Sequence, residues 1–220
     1  MKEHTIAILG GTGQEGGGLA IRWAKAGHAV VIGSRDAGKA AAAADAIRAK
    51  LGTANVRGTS NVEAVTAADV VVLTVPYAAQ RPTIAEVQSA LKGKILVDAT
   101  VPLVPPKVAR VQLPTEGSAV AAIQQFLGSD VRVVSAFQNV SAHALHDLDH
   151  QVECDVLVCG DDTAARETVI NLAADIGLRG IHAGPIVNSA AAEALTSILI
   201  VINKRYGITT SGIRITGLPD

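Results

Sequence analysis

The chain alternates short apolar runs with longer stretches in which apolar residues recur every three or four positions. Thr5-Ile6-Ala7-Ile8-Leu9 is a run of strand-favouring residues closed by Gly10-Gly11, and Leu19, Ile21, Trp23 and Ala26 follow at helical spacing up to Gly27. Ala29-Val30-Val31-Ile32-Gly33 predicts a second strand, and the alanine-rich stretch 36–51 a second helix that stops at Gly52. A short strand near 56–58 and a helix over 62–67 lead into Asp69-Val70-Val71-Val72-Leu73-Thr74-Val75, whose unbroken apolar centre suits a strand covered on both faces. Pro76 ends that strand, a helix is expected from about 82 to 91, and Lys94-Ile95-Leu96-Val97-Asp98 makes the next strand.

Beyond residue 100 the alternation is looser. Four prolines, Pro102, Pro105, Pro106 and Pro114, make 101–114 an irregular excursion, after which 118–127 reads as a helix and 131–136 as a strand. Strands at 155–159 and 179–183 flank a helix over 163–176, and an apolar helix over about 189–206 precedes a tail. Repeated strand–helix–strand order predicts an α/β fold, a doubly wound parallel sheet. The expected division is 1–150 for a nucleotide-binding domain and 151–220 for a small C-terminal α/β lobe.

Composition narrows the class. The 220 residues are 49% apolar but only 2% aromatic, so the core is built from Ala, Val, Ile and Leu, as in helix-covered parallel sheets. A formal net charge of -1 with no basic block excludes the electrostatic footprint of a nucleic-acid binder. The chain enters a strand almost at once, without the features of a signal peptide, and is expected to be cytoplasmic. The apolar stretch 190–202 holds Glu193, Thr196 and Ser197; it looks too short to span a bilayer and reads as a buried helix, so no membrane partner is expected. Cys154 and Cys159 are expected to be reduced, buried thiols.

The chemistry starts at Gly11-Thr12-Gly13-Gln14-Glu15-Gly16, a G-x-G-x-x-G pattern between the first strand and the helix it feeds. The first glycine is expected to permit the turn, the second to let backbone approach a pyrophosphate, and the third to let helix and strand pack closely. This is the fingerprint of a Rossmann-type dinucleotide fold. Gly17 and Gly18 prolong the run at a helix-propensity cost of about 1 kcal/mol each, which points to close packing or ligand approach for at least one. Where an NAD enzyme would place an acid, the second strand ends in Gly33-Ser34-Arg35. Ser34, Arg35 and Lys39 suit a 2′-phosphate, which favours NADP(H), while Asp36 serves as a helix cap.

No nucleophile elbow or acid–base dyad is evident. His143, His146 and His150, with Asp147 and Asp149, form the one cluster with metal-like spacing, but they also suit a solvated loop and are expected to be metal-free. His4, His28 and His182 read as surface or loop residues.

Taken together, Leu9-Gly10-Gly11-Thr12-Gly13, Gly33-Ser34-Arg35, Leu73-Thr74-Val75-Pro76, Val158-Cys159-Gly160-Asp161-Asp162, Ala183-Gly184-Pro185 with Asn188-Ser189, and Glu193-Ala194-Leu195-Thr196 make the chain resemble one family along nearly its whole length. That family is the NADPH-dependent reductases of the deazaflavin coenzyme F-420 (F420). The resemblance implies that Thr12, Ser34, Arg35 and Lys39 hold the nucleotide and that Thr74, Val75 and Pro76 line the nicotinamide side, with Ala136 nearby. It further implies that Ile208, Thr209, Thr210, Ser211 and Gly212 close over the deazaflavin as second substrate. Some members carry a His where this chain has Ser135-Ala136-Phe137-Gln138-Asn139, so no imidazole is assigned there.

Hydride transfer between two stacked rings needs positioning more than proton chemistry, which agrees with the missing dyad and leaves no residue assigned as catalytic. Three other readings stand beside it: an NADP-dependent reductase of a small carbonyl or imine, which would need a proton donor, a non-catalytic NADP(H)-sensing module, and a ferric or flavin reductase component, which would need a membrane helix partner. The helix over 189–206 is apolar nearly all round, which one sheet cannot cover, so a homodimer using it is expected.

Overall fold

The computed structural model describes residues 3–52, 55–149 and 151–218. Eight strands form one sheet in the order β3-β2-β1-β4-β5-β6-β7-β8. β1 (Thr5–Leu9), β2 (Ala29–Ser34), β3 (Val56–Ser60), β4 (Val70–Leu73), β5 (Ile95–Asp98) and β6 (Arg132–Ser135) are mutually parallel. β7 (Asp155–Gly160) joins β6 antiparallel, and β8 (Arg179–His182) follows it in parallel. The sheet therefore runs past residue 150 without a break. The order reverses between β1 and β4, where an open α/β sheet leaves a crevice outside the strand ends.

Helices cover both faces. One core packs α1 (Gln14–Lys25), α2 (Ala37–Leu51), α6 (Ala142–His146) and α7 (Thr163–Asp175) on residues such as Ile6, Ile8, Val72 and Val134. Trp23 sits at its centre, edge-on to Phe137 at 5.7 Å and donating its indole N–H to the Leu172 carbonyl. The other core packs α3 (Asn61–Thr66), α4 (Tyr77–Val87) and α5 (Ala119–Leu127) on Ala7, Leu9, Val71, Leu73 and Leu96.

The local signals act as chemistry requires in most places. Asp36 caps α2 by accepting the Lys39 N–H, and Ser60 with Glu63 closes a reciprocal box on α3. Two expectations need correction. α4 starts at Tyr77 and carries Pro82 in its interior, then ends in a 3-10 turn over Gln88–Leu91; Pro82 is not the first helical residue, and the helix bears the loss of one N–H donor. His28 is completely buried, bonded to Asp175 at 3.0 Å and to the His4 backbone N–H, because its partner arrives from 147 positions away.

The last helix, α8 (Ser189–Tyr206), also departs from expectation. With the turn before it the helical run spans Ile186–Tyr206, which by length and composition suffices to cross a membrane, and only about a third of its apolar window is buried. Its inward face carries Ser189, Glu193 and Ser197 beside Ala192 and Leu199, whereas Ile198, Val201 and Tyr206 are exposed. Hydropathy alone cannot show this inversion, since the polar side chains are the ones that find buried partners.

Candidate functional site

The β1–α1 turn forms the floor of a cleft of about 200 Å³ lined by Gly10, Thr12, Gly13, Gly33, Ser34, Arg35, Asn61, Thr74, Val75, Pro76, Ala79 and Thr83. Its geometry reassigns the glycines. The positive φ of the turn falls on Gly10, at +92°, not on Gly11, which is held against Ile32 and the Ile8 carbonyl. Gly16 meets the close-packing expectation: a Cβ there would stand 2.4 Å from Thr74 Oγ1 and 2.7 Å from the Gly10 carbonyl oxygen. Gly18 is likewise forced, with Leu145 Cβ at 2.6 Å, whereas Gly17 has room for a methyl group. Gly13 is the residue before α1, so the free N–H groups of the first helical turn open beside the cleft.

Ser34 and Arg35 enter the wall at the end of β2, where Ser34 Oγ also accepts the Asp36 N–H. Lys39 is exposed one turn into α2 and reaches toward the same end of the strand only through its position. Thr74 is pinned to β1 by its N–H and hydroxyl, both donating to the Leu9 carbonyl, which fixes the opposite wall with Val75 and Pro76. Asn61, Ala79 and Thr83 belong to this wall but carried no motif; Asn61 follows the Ser60 cap, and its amide is bonded to Glu86.

Gln14 and Glu15 stand on the first turn of α1. Gln14 offers its carbonyl to His146 Nε2 at 2.8 Å, which ties α6 to the glycine-rich turn. His146 is thus a docking contact rather than part of a solvated loop. Burial pushes Glu15 up to about 8, which favours the neutral carboxyl at pH 7. Ala136 is fully buried just past β6 and packs in the core.

The expected second-ring residues lie elsewhere. Thr209 and Thr210 line a separate cavity of about 420 Å³ with Ser141, His143, Ala144, Asp147, Gln151, Val152, Glu153 and Cys154. The tail that carries them is strapped to the fold by several bonds. Ser141 Oγ donates to the Thr209 carbonyl, Ser211 N donates to Asn203 Oδ1, and Gly212 packs against Cys154. Fully buried Asp155 holds the rest, accepting a side-on pair of bonds from Arg179 Nε and Nη2 at 2.9 and 2.8 Å and accepting the Ile215 N–H. Those Arg179 bonds draw the Asp155 carboxyl below its ordinary value despite burial. Ile208 is exposed at the start of this strap.

Behind the strand ends lies a buried polar network that the sequence did not announce. Glu193 of α8 accepts from Ser118 Oγ, Ala119 N, Val120 N and Ser189 Oγ at 2.6 to 3.2 Å, capping α5 from across the fold. Asp98 accepts from Gln80 and from the Thr100 N–H, yet burial still raises it to about 6. Both thiols are free and buried, and burial pushes Cys159 up to about 11. Among the described residues no three His, Cys, Asp or Glu side chains gather as a metal site; His150 lies outside them.

A Rossmann-type sheet with a glycine-rich turn, a Ser34–Arg35 wall and a crevice at the strand reversal defines a dinucleotide-binding reductase. The comparisons give the family. Residues 5–102 match the model of NADP oxidoreductase coenzyme F420-dependent. The F420-dependent NADP reductase of Methanothermobacter thermautotrophicus is 43% identical, over 98% of this chain and 96% of that protein. Its counterpart in Methanocaldococcus jannaschii is 43% identical, over 97% and 98%. A crystal structure from Arthrobacter sp. FB24, assigned as an F420-dependent NADP reductase, superposes with a TM-score of 0.82 at 26% identity, covering 97% of this chain and 99% of that one. The chain belongs to the F420-dependent NADP reductase family. An imine reductase from Myxococcus stipitatus shares the fold, with a TM-score of 0.62 at 22% identity over 94% of this chain and 63% of that one.

Proposed function

We propose that this chain moves a hydride between NADP(H) and coenzyme F420, with the nucleotide in the Gly10–Pro76 cleft. The observation that carries the nucleotide half is the pairing of the α1 N-terminus with Ser34 and Arg35 in one cleft wall. The pyrophosphate meets the free N–H groups of the helix, and the guanidinium of Arg35 meets the 2′-phosphate. Thr12, Gly13 and Gln14 hold the phosphates, and Thr74, Val75 and Pro76 set the nicotinamide so that one ring face stays open. The deazaflavin stacks on that face, reached through the loop that follows β6. Support for including the tail comes from Ser141, which binds Thr209 to this same loop. When bound, the deazaflavin supplies a ring carbon that accepts the hydride from nicotinamide C4. The protein orients the rings and excludes water.

Mixing the protein with NADPH and oxidised F420 is expected to bleach the deazaflavin absorbance, and reduced F420 to reduce NADP+. Reduction of a small carbonyl or imine with no transfer to F420 would defeat this reading. We also propose a cytoplasmic homodimer built on the exposed side of α8, supported by Ile198, Val201 and Tyr206 lying bare on a helix of which only about a third of the apolar window is buried. A solution mass near the 22.5 kDa of one chain at micromolar concentration would refute the dimer.

A further inference from the structure

Among the described residues, three buried side-chain oxygens have no hydrogen-bond partner: Glu15 Oε1, Thr100 Oγ1 and Gln138 Oε1. All three stand at the carboxyl end of the sheet, on the first turn of α1, just past β5 and just past β6. A buried polar atom left unpaired costs about 1 to 3 kcal/mol, so three at one end of the sheet call for a reason. Glu15 is the ionisable one. An acid in a first helical turn usually stays hydrated, where it gains from the helix dipole without desolvation.

The direction of Glu15 follows from its neighbours. Each residue turns about 100° around the helix axis. The Gly16 direction meets Thr74 at the end of β4, and the Gly18 direction meets Leu145 of α6. Glu15 falls between them, on the stripe of Leu19, which is fully buried. Helical side chains lean toward the N-terminus, so the carboxyl leans toward the strand ends between β4 and α6. Burial alone raises Glu15 to about 8, with no charged neighbour contributing. The ionisable groups on the surrounding elements are committed elsewhere. Arg22 of α1 donates to the carbonyls of Ala144, Leu145 and Asp147, and His146 of α6 donates to Gln14. Asp98 of β5 is bonded to Gln80 and Thr100, and His143 lines the cavity beyond α6.

We propose that Glu15 is a recognition residue that donates a hydrogen bond to a ring carbonyl of the substrate seated between the end of β4 and α6. This rests on the hydride-transfer reading above. Two rings bring such a carbonyl, the carboxamide of nicotinamide and the pyrimidinedione of the deazaflavin. A carboxylate cannot donate, so the contact is lost when Glu15 ionises.

The test is equilibrium binding of NADP+ and of oxidised F420, separately, to the full chain between pH 6 and 9.5. For one ligand the Kd should rise about tenfold per pH unit above pH 8. Glu15→Gln, whose amide still donates, should flatten that rise, and Glu15→Leu should weaken the same ligand at least tenfold at pH 7. In the ligand-free protein, infrared spectroscopy should show a protonated carboxyl band at pH 7 that Glu15→Gln removes. The responding ligand names the ring. Binding of both ligands that is flat with pH in the wild type, or a folded Glu15→Leu that binds both within twofold of it, overturns the proposal. If the leucine variant does not fold, the wild-type profile against Glu15→Gln decides. If F420 binds to no form while NADP+ responds, the deazaflavin reading falls and the role of Glu15 stands.

Discussion

The two sides of the sheet's carboxyl end are built from opposite materials. On the nucleotide side, β1, β2 and β4 meet the cleft with glycines and backbone, and what matters is the side chains that are missing: a single Cβ at Gly16 would strike Thr74 and the Gly10 carbonyl. On the far side, β5, β6, α4 and α8 bury Gln80, Asp98, Ser135, Ser189 and Glu193 in a hydrogen-bonded network. The first side is shaped to admit an anion and leaves its polar groups open to it. The second pairs most of its polar groups from within, Thr100 Oγ1 and Gln138 Oε1 apart, which makes it a frame. Losing one charge should therefore have different consequences on the two sides, in stability on one and in ligand choice on the other.

The largest effect is expected at Glu193. Alanine there strands two hydroxyls and two backbone N–H groups, among them the Ala119 and Val120 donors at the start of α5. Each buried donor left unpaired costs about 1 to 3 kcal/mol, and with some of the four finding new partners the sum is about 3 to 5 kcal/mol. Urea unfolding of Glu193→Ala should show a loss of that size, and Glu193→Gln, which keeps one acceptor, a smaller one. A loss under about 1 kcal/mol for alanine would mean that the network is not the frame described, and the contrast between the two sides would collapse.

The contrast also decides what the sequence could tell. The glycine-rich turn was legible because its requirements fall on six consecutive residues and exclude most side chains there; even so, the left-handed residue is Gly10, one position before the expected one. Parallel strands were legible from unbroken apolar runs, and the cap on α2 from Asp36 alone. α8 was misjudged in burial because periodicity reports apolar character, while its inner face is fixed by partners far away in the chain, such as Ser118, 75 positions from Glu193. His28 was hidden for the same reason. Pro82 misled at α4 because proline marks a helix start more often than an interior. The tail was named by resemblance, but its seat against Ser141, Cys154 and Asp155 depends on tertiary contacts that no local pattern encodes.

The smaller effect, and the sharper test of the nucleotide side, is expected at Arg35. Its side chain is exposed in the cleft wall and no buried group depends on it, so alanine should leave the unfolding midpoint unchanged. What it should change is the choice between nucleotides. Only NADPH carries the 2′-phosphate, and a charge-assisted bond to that group contributes about 1.5 to 3 kcal/mol, a factor of roughly ten to a hundred and fifty in Kd. NADH has a hydroxyl there and gains little from a guanidinium. Binding titrations of Arg35→Ala should show NADPH weakened by that factor and NADH altered less than about twofold. Ser34 and Lys39 stand by the same end of β2, so part of the preference for NADPH should survive, and Arg35→Lys should recover some of the loss as a point charge without the bidentate fork. Equal losses for both nucleotides would mean that Arg35 shapes the adenosine wall instead of reading the phosphate.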